Sequence, residues 1–272
     1  MSIYITIFTP TYNRAYILPR LYESLEKQSV KYFEWLVVDD GSTDNTERLV
    51  SKWEREGTVT INYIKTSNGG KQRAINRGVR EAKGELFFIV DSDDFLTPDA
   101  IAIVQKDWGR IKNEKTTLSG LCYKRVVYET EKFMGIDFPE PPIAASLLDM
   151  VYKYKIKGDK AEIFKTEMMR DYPFPEILGE KFVPEAYIWN RITTNKPMYF
   201  INKGIYFCEY LQDGLTANFC RNLRQNPMGF KLYYNDVLCY EIIPLKNKFK
   251  AVVRIIQCIF FLTMKRLYGK DT

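Results

Sequence analysis

A strand, a polar loop and a helix follow one another four times along residues 4–111, and this alternation constrains the fold more than any other feature of the chain. Tyr4–Thr9 is apolar and β-branched, a loop runs from Pro10 to Arg14, and Ile17, Leu18, Leu21, Tyr22 and Leu25 then recur at helical spacing up to Gln28. The second unit is strand Trp35–Val38, turn Asp40-Gly41-Ser42-Thr43-Asp44 and helix Thr46–Glu56, with Leu49, Val50 and Trp53 as its apolar stripe and Thr43 or Asp44 as its N-cap. Strand Ile61–Ile64 leads through Asn68-Gly69-Gly70 into helix Gln72–Lys83. Strand Leu86–Val90 meets Asp91-Ser92-Asp93-Asp94, and Pro98 opens helix Asp99–Ile111. Parallel strands need crossover connections, so four such units predict an α/β fold with a mostly parallel central sheet flanked by helices on both faces.

Beyond residue 115 the pattern loosens. Leu118–Tyr128 and Tyr199–Tyr210 read as strands, and Leu147–Tyr154 and Glu185–Thr194 as short helices. Residues 132–146 and 171–184 read as proline-containing loops, and the last sixty residues as helical. The N-terminus reads as a strand and not as a signal peptide, for it has neither a basic segment nor a long apolar run. The 272 residues, 46% hydrophobic and 15% aromatic, suffice for a sizeable core. Cys122, Cys208, Cys220, Cys239 and Cys258 are odd in number and widely spaced, which suggests neither a disulfide framework nor a zinc knuckle and points to a reducing, cytoplasmic compartment. There is no histidine, so Ser-His-Asp and Cys-His hydrolases and the zincins are excluded, and acid–base work falls to carboxylates, Lys or Tyr.

Ligands of open α/β sheets bind outside the carboxyl ends of the strands. Four polar clusters stand at such ends: Pro10-Thr11-Tyr12-Asn13-Arg14, Asp39-Asp40, Asn68-Gly69-Gly70-Lys71 and Asp91-Ser92-Asp93-Asp94. The first loop lacks the glycines of a dinucleotide fingerprint, and no P-loop is present. A nucleoside diphosphate could still be held by side chains and a metal, and the three carboxylates of residues 91–94 offer hard ligands suited to Mg²⁺ or Mn²⁺. The same acids could equally serve the N-terminus of the helix that follows. Asp40 could accept the N3–H of a uracil or simply open its turn, one of the two aspartates serving each role. Tyr12 could stack on a base or pack at the rim, and Lys71 could neutralise phosphate or stay solvated.

These residues resemble the family 2 glycosyltransferases of the GT-A fold, through Thr9-Pro10-Thr11-Tyr12-Asn13-Arg14, Val37-Val38-Asp39-Asp40-Gly41-Ser42-Thr43-Asp44, Asn68-Gly69-Gly70, Ala74-Ile75-Asn76 and Phe88-Ile89-Val90-Asp91-Ser92-Asp93-Asp94. The resemblance covers residues 3–115 in order and spacing. It implies inverting transfer of a sugar from a nucleotide donor, commonly a UDP-sugar, with Mn²⁺ or Mg²⁺. It implies that Tyr12 and Asp40 contact the base, that Asn68 to Lys71 lie near the donor, that Asp91 approaches the ribose side and that Asp93 ligates the metal. Further along, Glu185-Ala186-Tyr187-Ile188-Trp189-Asn190-Arg191 resembles the segment that carries the family's catalytic base, with Pro184-Glu185 where Glu-Asp is usual. Glu185 is then the expected base and Glu180 its alternate. Glu209 to Thr216 resembles the region where many GT-A enzymes place a histidine, so Gln212, Asp213 or Thr216 is assigned to the diphosphate side, although Asp213-Gly214 is also an ordinary turn pair.

The resulting expectation is a GT-A catalytic domain over residues 1–216, donor half 1–115 and acceptor half 116–216, followed by a helical region over 217–272. The acceptor is a glycan or a lipid-linked hydroxyl, in cell-surface polysaccharide synthesis. The rival is a non-catalytic protein that kept the nucleotide-sugar site and lost the base. The formal charge of +6 is local: residues 244–272 hold seven Lys/Arg against one acid, and the remainder sums to zero. That argues against a nucleic-acid groove and for a local anionic contact. Over Lys246–Lys270, Phe249, Val252, Val253, Ile256, Ile259 and Phe260 share one helical face, opposite Lys250, Arg254, Gln257 and Lys265. The uncharged stretch Ile255–Met264 is about 15 Å long as a helix, too short to span a bilayer core of ~30 Å. The segment therefore either lies on an anionic membrane at its inner face or docks on the catalytic domain or a second subunit.

Overall fold

The computed structural model describes residues 4–111, 117–209 and 219–268. Its strands are β1 (Ile5–Thr11), β2 (Phe33–Asp39), β3 (Ile61–Lys65), β4 (Leu86–Ile89), β5 (Phe95–Leu96), β6 (Gly120–Val127), β7 (Lys132–Phe133), β8 (Ile143–Ala145), β9 (Lys160–Lys165) and β10 (Met198–Cys208). Its helices are α1 (Leu18–Glu26), α2 (Thr46–Glu56), α3 (Lys71–Glu81), α4 (Ala100–Ile111), α5 (Leu147–Tyr152), α6 (Thr166–Asp171), α7 (Ala186–Asn195), α8 (Phe219–Gln225), α9 (Pro227–Cys239) and α10 (Leu245–Tyr268). The four sequence units are β1α1, β2α2, β3α3 and β4 to α4, each within a few residues of its expected bounds.

One sheet runs in the order β3-β2-β1-β4-β9-β6-β10-β5. The pairs β1·β2, β2·β3, β1·β4 and β6·β10 are parallel, whereas β9 runs antiparallel between β4 and β6. The segment 132–146, expected as plain loop, contains two short strands, β7 and β8, and β9 lies where no strand was expected. Alternate strand residues point to opposite faces, and this period of two builds two cores. Ile5, Ile7, Trp35, Val37, Leu86 and Phe88 pack under α1, α2 and α4, against Leu21, Tyr22, Trp53, Val104 and Trp108. Phe8, Leu36, Val38 and Phe87 face the other way, onto Ile75 and Val79 of α3 and Ile188 and Trp189 of α7.

The Asp91–Asp94 turn lies between β4 and β5, and β5 pairs antiparallel with β10, so the turn is clamped from both sides. No helix among the described residues is long and apolar enough to cross a membrane. Instead α10 docks on the rest of the chain. Ala251 joins Leu148, Val237 and Ile243, and Cys258 joins Leu223 and Phe230 in two small clusters. Phe261, which interrupts an otherwise polar stripe in the sequence, packs against the second cluster. Arg254 lies 5.0 Å over the ring of Phe219, and Lys265 donates to the carbonyl of Gln225 at 2.6 Å. Two of the four residues assigned to a polar outer face are therefore turned toward α8.

Candidate active site

The carboxyl edges of β1, β2 and β4 open on a cleft of about 1070 Å³, large enough for a nucleotide sugar with part of an acceptor. Pro10, Thr11, Tyr12, Arg14, Asp40, Lys71, Asp91, Ser92, Asp93, Asp94 and Glu185 all line it. Tyr12 is 48% exposed at the mouth, while Thr11 is buried and its Oγ1 has no hydrogen-bond partner. A buried polar atom without a partner costs roughly 1–3 kcal/mol, so this hydroxyl suits a polar ligand.

Asn13 does not line the cleft. Its backbone has φ 53°, its amide N–H donates to Ser42 Oγ at 2.8 Å, and its Oδ1 accepts from Thr43 N–H at 2.8 Å. It ties the β1 loop to the β2 loop. Asn68, Gly69 and Gly70 are likewise behind the wall and not on it. Gly69 and Gly70 donate their amide protons to the two oxygens of Asp40 at 2.7 and 2.8 Å, and Asn68 Nδ2 donates to the Asp40 carbonyl at 2.9 Å. Asp40 thereby caps the loop that enters α3 and also lines the cleft, each of its oxygens accepting one bond and keeping further acceptor capacity. The turn itself is served by Asp39, which accepts from Ser42 N–H at 2.7 Å and Tyr63 O–H at 2.5 Å. The two aspartates divide the local work.

Lys71, at the first position of α3, binds two carboxylates at once: its Nζ is 2.7 Å from Asp91 Oδ1 and 2.9 Å from Glu185 Oε1. Burial opposes the charge of this ammonium, yet the two carboxylates hold its pKa well above the ordinary value. Burial also opposes the charge of Asp91, but Lys71 and Arg125 overcome it and its pKa lies below the usual carboxylate range. Asp93 differs, because burial and the neighbouring Asp91 charge both raise its pKa. Its backbone carbonyl is fixed by Arg20 Nη2 at 2.7 Å. Asp94 turns inward to accept from Tyr206 O–H at 2.6 Å, with Arg125 Nη1 at 3.4 Å, and burial pushes it to about 7.

Among the described residues no three acidic, Cys or His side chains form a ready-made metal cage. A hard cation shared with a diphosphate needs only one or two carboxylates from the protein. Asp93 fits that role, since its charge is disfavoured by its neighbours and a cation would relieve it.

Glu185 precedes α7, and the proline-containing chain that delivers it is held by α3. Asn76 Nδ2 donates to the Phe174 carbonyl at 2.9 Å while Asn76 Oδ1 accepts from Phe174 N–H at 2.9 Å. Arg73 donates to the carbonyls of Ile177 and Glu180 at 2.7 and 3.0 Å. Gly70, with φ 96°, passes so close that a Cβ there would sit 2.0 Å from the Lys181 carbonyl oxygen. Glu180, the alternate base, is buried and does not line the cleft. Its oxygens accept from Met228 and Gly229 N–H, both at 2.8 Å, at the start of α9. Gln212, Asp213 and Thr216, like the boundary at 216–217, lie outside the described residues.

Sequence reasoning missed the far wall of the cleft, where Arg125 of β6 and Lys160 and Glu162 of β9 stand beside Trp189 and Asn190. Burial pushes Glu162 to about 7, against the opposing pull of Arg125 and Lys160. The signal available was a pair of charged residues, Lys124-Arg125, inside an otherwise apolar strand.

An open sheet with an acidic turn at its carboxyl edge, and a carboxylate brought opposite by a helix from the second half, is the arrangement of GT-A glycosyltransferases. Residues 6–160 match Glycosyl transferase family 2, more than half of the chain, and the chain belongs to this family. It is 29% identical over 213 residues to poly(ribitol-phosphate) beta-N-acetylglucosaminyltransferase TarS of Staphylococcus aureus, a match spanning 73% of this chain and 35% of TarS. The chain thus corresponds to about a third of that relative's length. It is 24% identical to the GalNAc(5)-diNAcBac-PP-undecaprenol beta-1,3-glucosyltransferase of Campylobacter jejuni, over 83% of this chain and 71% of that protein. The crystal structure of TarS 1–349 in complex with UDP-GlcNAc superposes with a TM-score of 0.66 at 21% identity, covering 98% of this chain and 76% of that one. The mannosyltransferase PcManGT of Pyrobaculum calidifontis, in complex with GDP-Man and Mn²⁺, gives 0.61 at 20% identity, covering 100% and 77%. These likenesses show the GT-A fold.

Proposed function

We propose that the chain is an inverting hexosyltransferase that moves a sugar from a UDP-sugar to a hydroxyl of a glycan or lipid-linked acceptor, in cell-surface polysaccharide synthesis. One observation carries the reading: Lys71 draws the donor-side Asp91 and the acceptor-side Glu185 into a single ion-paired cluster across the cleft. A protein that had lost its base would have no need of that carboxylate there.

Glu185 accepts the proton of the acceptor hydroxyl as its oxygen attacks the anomeric carbon from the face opposite the diphosphate. Lys71 holds Glu185 in place and offers positive charge toward the departing diphosphate. Tyr12 stacks on the base, the unpartnered Thr11 hydroxyl is free to bond it, and the open lone pairs of Asp40 suit the uracil N3–H. Asp93 would hold Mn²⁺ or Mg²⁺, which would supply charge stabilisation of the leaving group. TarS in complex with UDP-GlcNAc supports a UDP donor, and the Mn²⁺ in PcManGT supports the metal. The undecaprenol-linked acceptor named for the Campylobacter relative supports a lipid-linked one. Five free cysteines support work in a reducing cytoplasmic compartment.

Glu185→Gln keeps the size and most hydrogen bonding of the side chain but removes its basicity. It should leave UDP affinity unchanged and lower kcat by at least the ~10²-fold typical of a lost general base. Turnover near that of the wild type would place the base elsewhere.

A further inference from the structure

The docked face of α10 leaves a second apolar face uncovered. Phe249, Val252, Val253, Ile256, Ile259 and Phe260 are 40–71% exposed, and with Leu245 and Leu267 they form one stripe along the helix. At helical spacing they fill an arc of about 120°, the width of a face that normally meets a core. None of them belongs to the clusters through which α10 packs on α8 and α9.

The margins of this stripe are basic. Lys246 follows one edge, with Lys250 further round toward the opposite face, Lys248 and Arg266 follow the other edge, and Arg221 and Arg224 extend the charge over α8. Neither α8 nor α10 contains an Asp or Glu. Where the two helices meet, Phe260, Phe261 and Met264 line a groove of about 230 Å³ rimmed by Arg224 and Lys265. Apolar floor and cationic rim are thus repeated at two scales.

We propose that this face rests in the plane of an anionic lipid surface, apolar side chains among the acyl chains and the Lys/Arg margins among the headgroup phosphates. The charge selects the occupant. A second copy laid on the same face would bring two acid-free basic helices together, which like-charge repulsion opposes. A surface that is apolar below and negative above satisfies both parts of the stripe. The contact also reaches the cleft, because Val237 of α9 packs with Ala251 while Tyr233 of the same helix lines the cleft wall. A membrane-seated α10 thereby places the cleft near lipid-linked molecules. This inference stands independently of the donor and base assignments.

The test is flotation of the full chain with vesicles of phosphatidylcholine alone and of phosphatidylcholine mixed with phosphatidylglycerol, at low and high salt. The protein should float with the anionic vesicles at low salt, and much less with the neutral ones. Ile256→Glu/Phe260→Glu changes only exposed positions and should cut the floated fraction by about tenfold. Lys246→Glu/Lys250→Glu should do the same for anionic vesicles. Both variants should keep the thermal stability of the parent protein and its response to UDP. Absence of flotation, or flotation that neither variant weakens, overturns the proposal. So does sedimentation showing a dimer that Ile256→Glu/Phe260→Glu dissolves, since a second copy would then cover the face.

Discussion

Glu162 shows how one residue of the cleft can set the pH response of the fold. Its carboxyl stands near Arg125 and Lys160, yet burial outweighs them and raises its pKa from 4.5 to about 7. Below pH 4.5 the group is neutral both folded and unfolded and costs nothing. Between 4.5 and 7 the unfolded chain ionises first, so stability falls as pH rises, and above 7 the loss is complete. Glu162→Gln should therefore match the parent protein near pH 4 and exceed it at pH 8, by a margin on the order of 3 kcal/mol. Denaturant melts at the two pH values measure the difference, and an equal gap at both would refute the account. Asp94, also at about 7, adds a slope of the same sign in both proteins. Lys71 illustrates the opposite case: Asp91 lies below 3.8, so its stabilisation is present above that pH and is lost only as the medium becomes more acid.

At the scale of elements, α3 joins the two halves of the chain. Its first residue meets Asp91 and Glu185, and its next turns hold residues 174–180 by side chain to backbone bonds from Asn76 and Arg73. The Ala74-Ile75-Asn76 motif is visible in the sequence, but its role is not, because its partners are backbone groups a hundred residues away that carry no pattern. Asn76→Ala leaves a buried N–H and a buried carbonyl at Phe174 without partners. That should cost about 2–6 kcal/mol, at roughly 1–3 kcal/mol per orphaned group. It should also lower kcat more than it weakens UDP binding, since it loosens Glu185 and not the nucleotide wall. Steady-state kinetics beside a UDP titration separate the two effects, and an unchanged kcat would show that α3 does not position the base. The strand β9 was missed for a related reason. Charged Lys160, Glu162 and Lys165 interrupt apolar Ala161, Ile163 and Phe164, Lys160 being buried as well, and six such residues just after Gly158-Asp159 give too short a period-two signal to tell from loop.

For the whole molecule, legibility followed the direction of the strands. The parallel units β1 to β4 carry long apolar runs and ligand loops at one edge, so both their order and their rim could be read from residue types. In the part from β5 to β10 the long strands β6 and β10 and the helices α5 and α7 could be read one by one, but the insertion of β9 antiparallel between β4 and β6 and the distant pairings that build the other wall of the cleft could not, and of that wall's site residues only Glu185 announced itself. A ligand that bridges both walls should therefore stabilise the entire fold, not one half. UDP at a hundredfold excess over its Kd contributes about 2.7 kcal/mol, which raises Tm by roughly 5–10 °C in a chain of this size. The rise should depend on Mn²⁺ or Mg²⁺, because Asp91 and Asp93 alone repel a diphosphate. Asp93→Ala should abolish that dependence without lowering the Tm of the unliganded protein, as burial and the Asp91 charge already disfavour its carboxylate in the fold. CDP, which lacks the N3–H donor, should give the smaller shift if Asp40 reads the base. Equal shifts with EDTA and with Mn²⁺ would remove the metal from the reaction, and equal shifts with CDP and UDP would leave Asp40 with only its place at the start of α3.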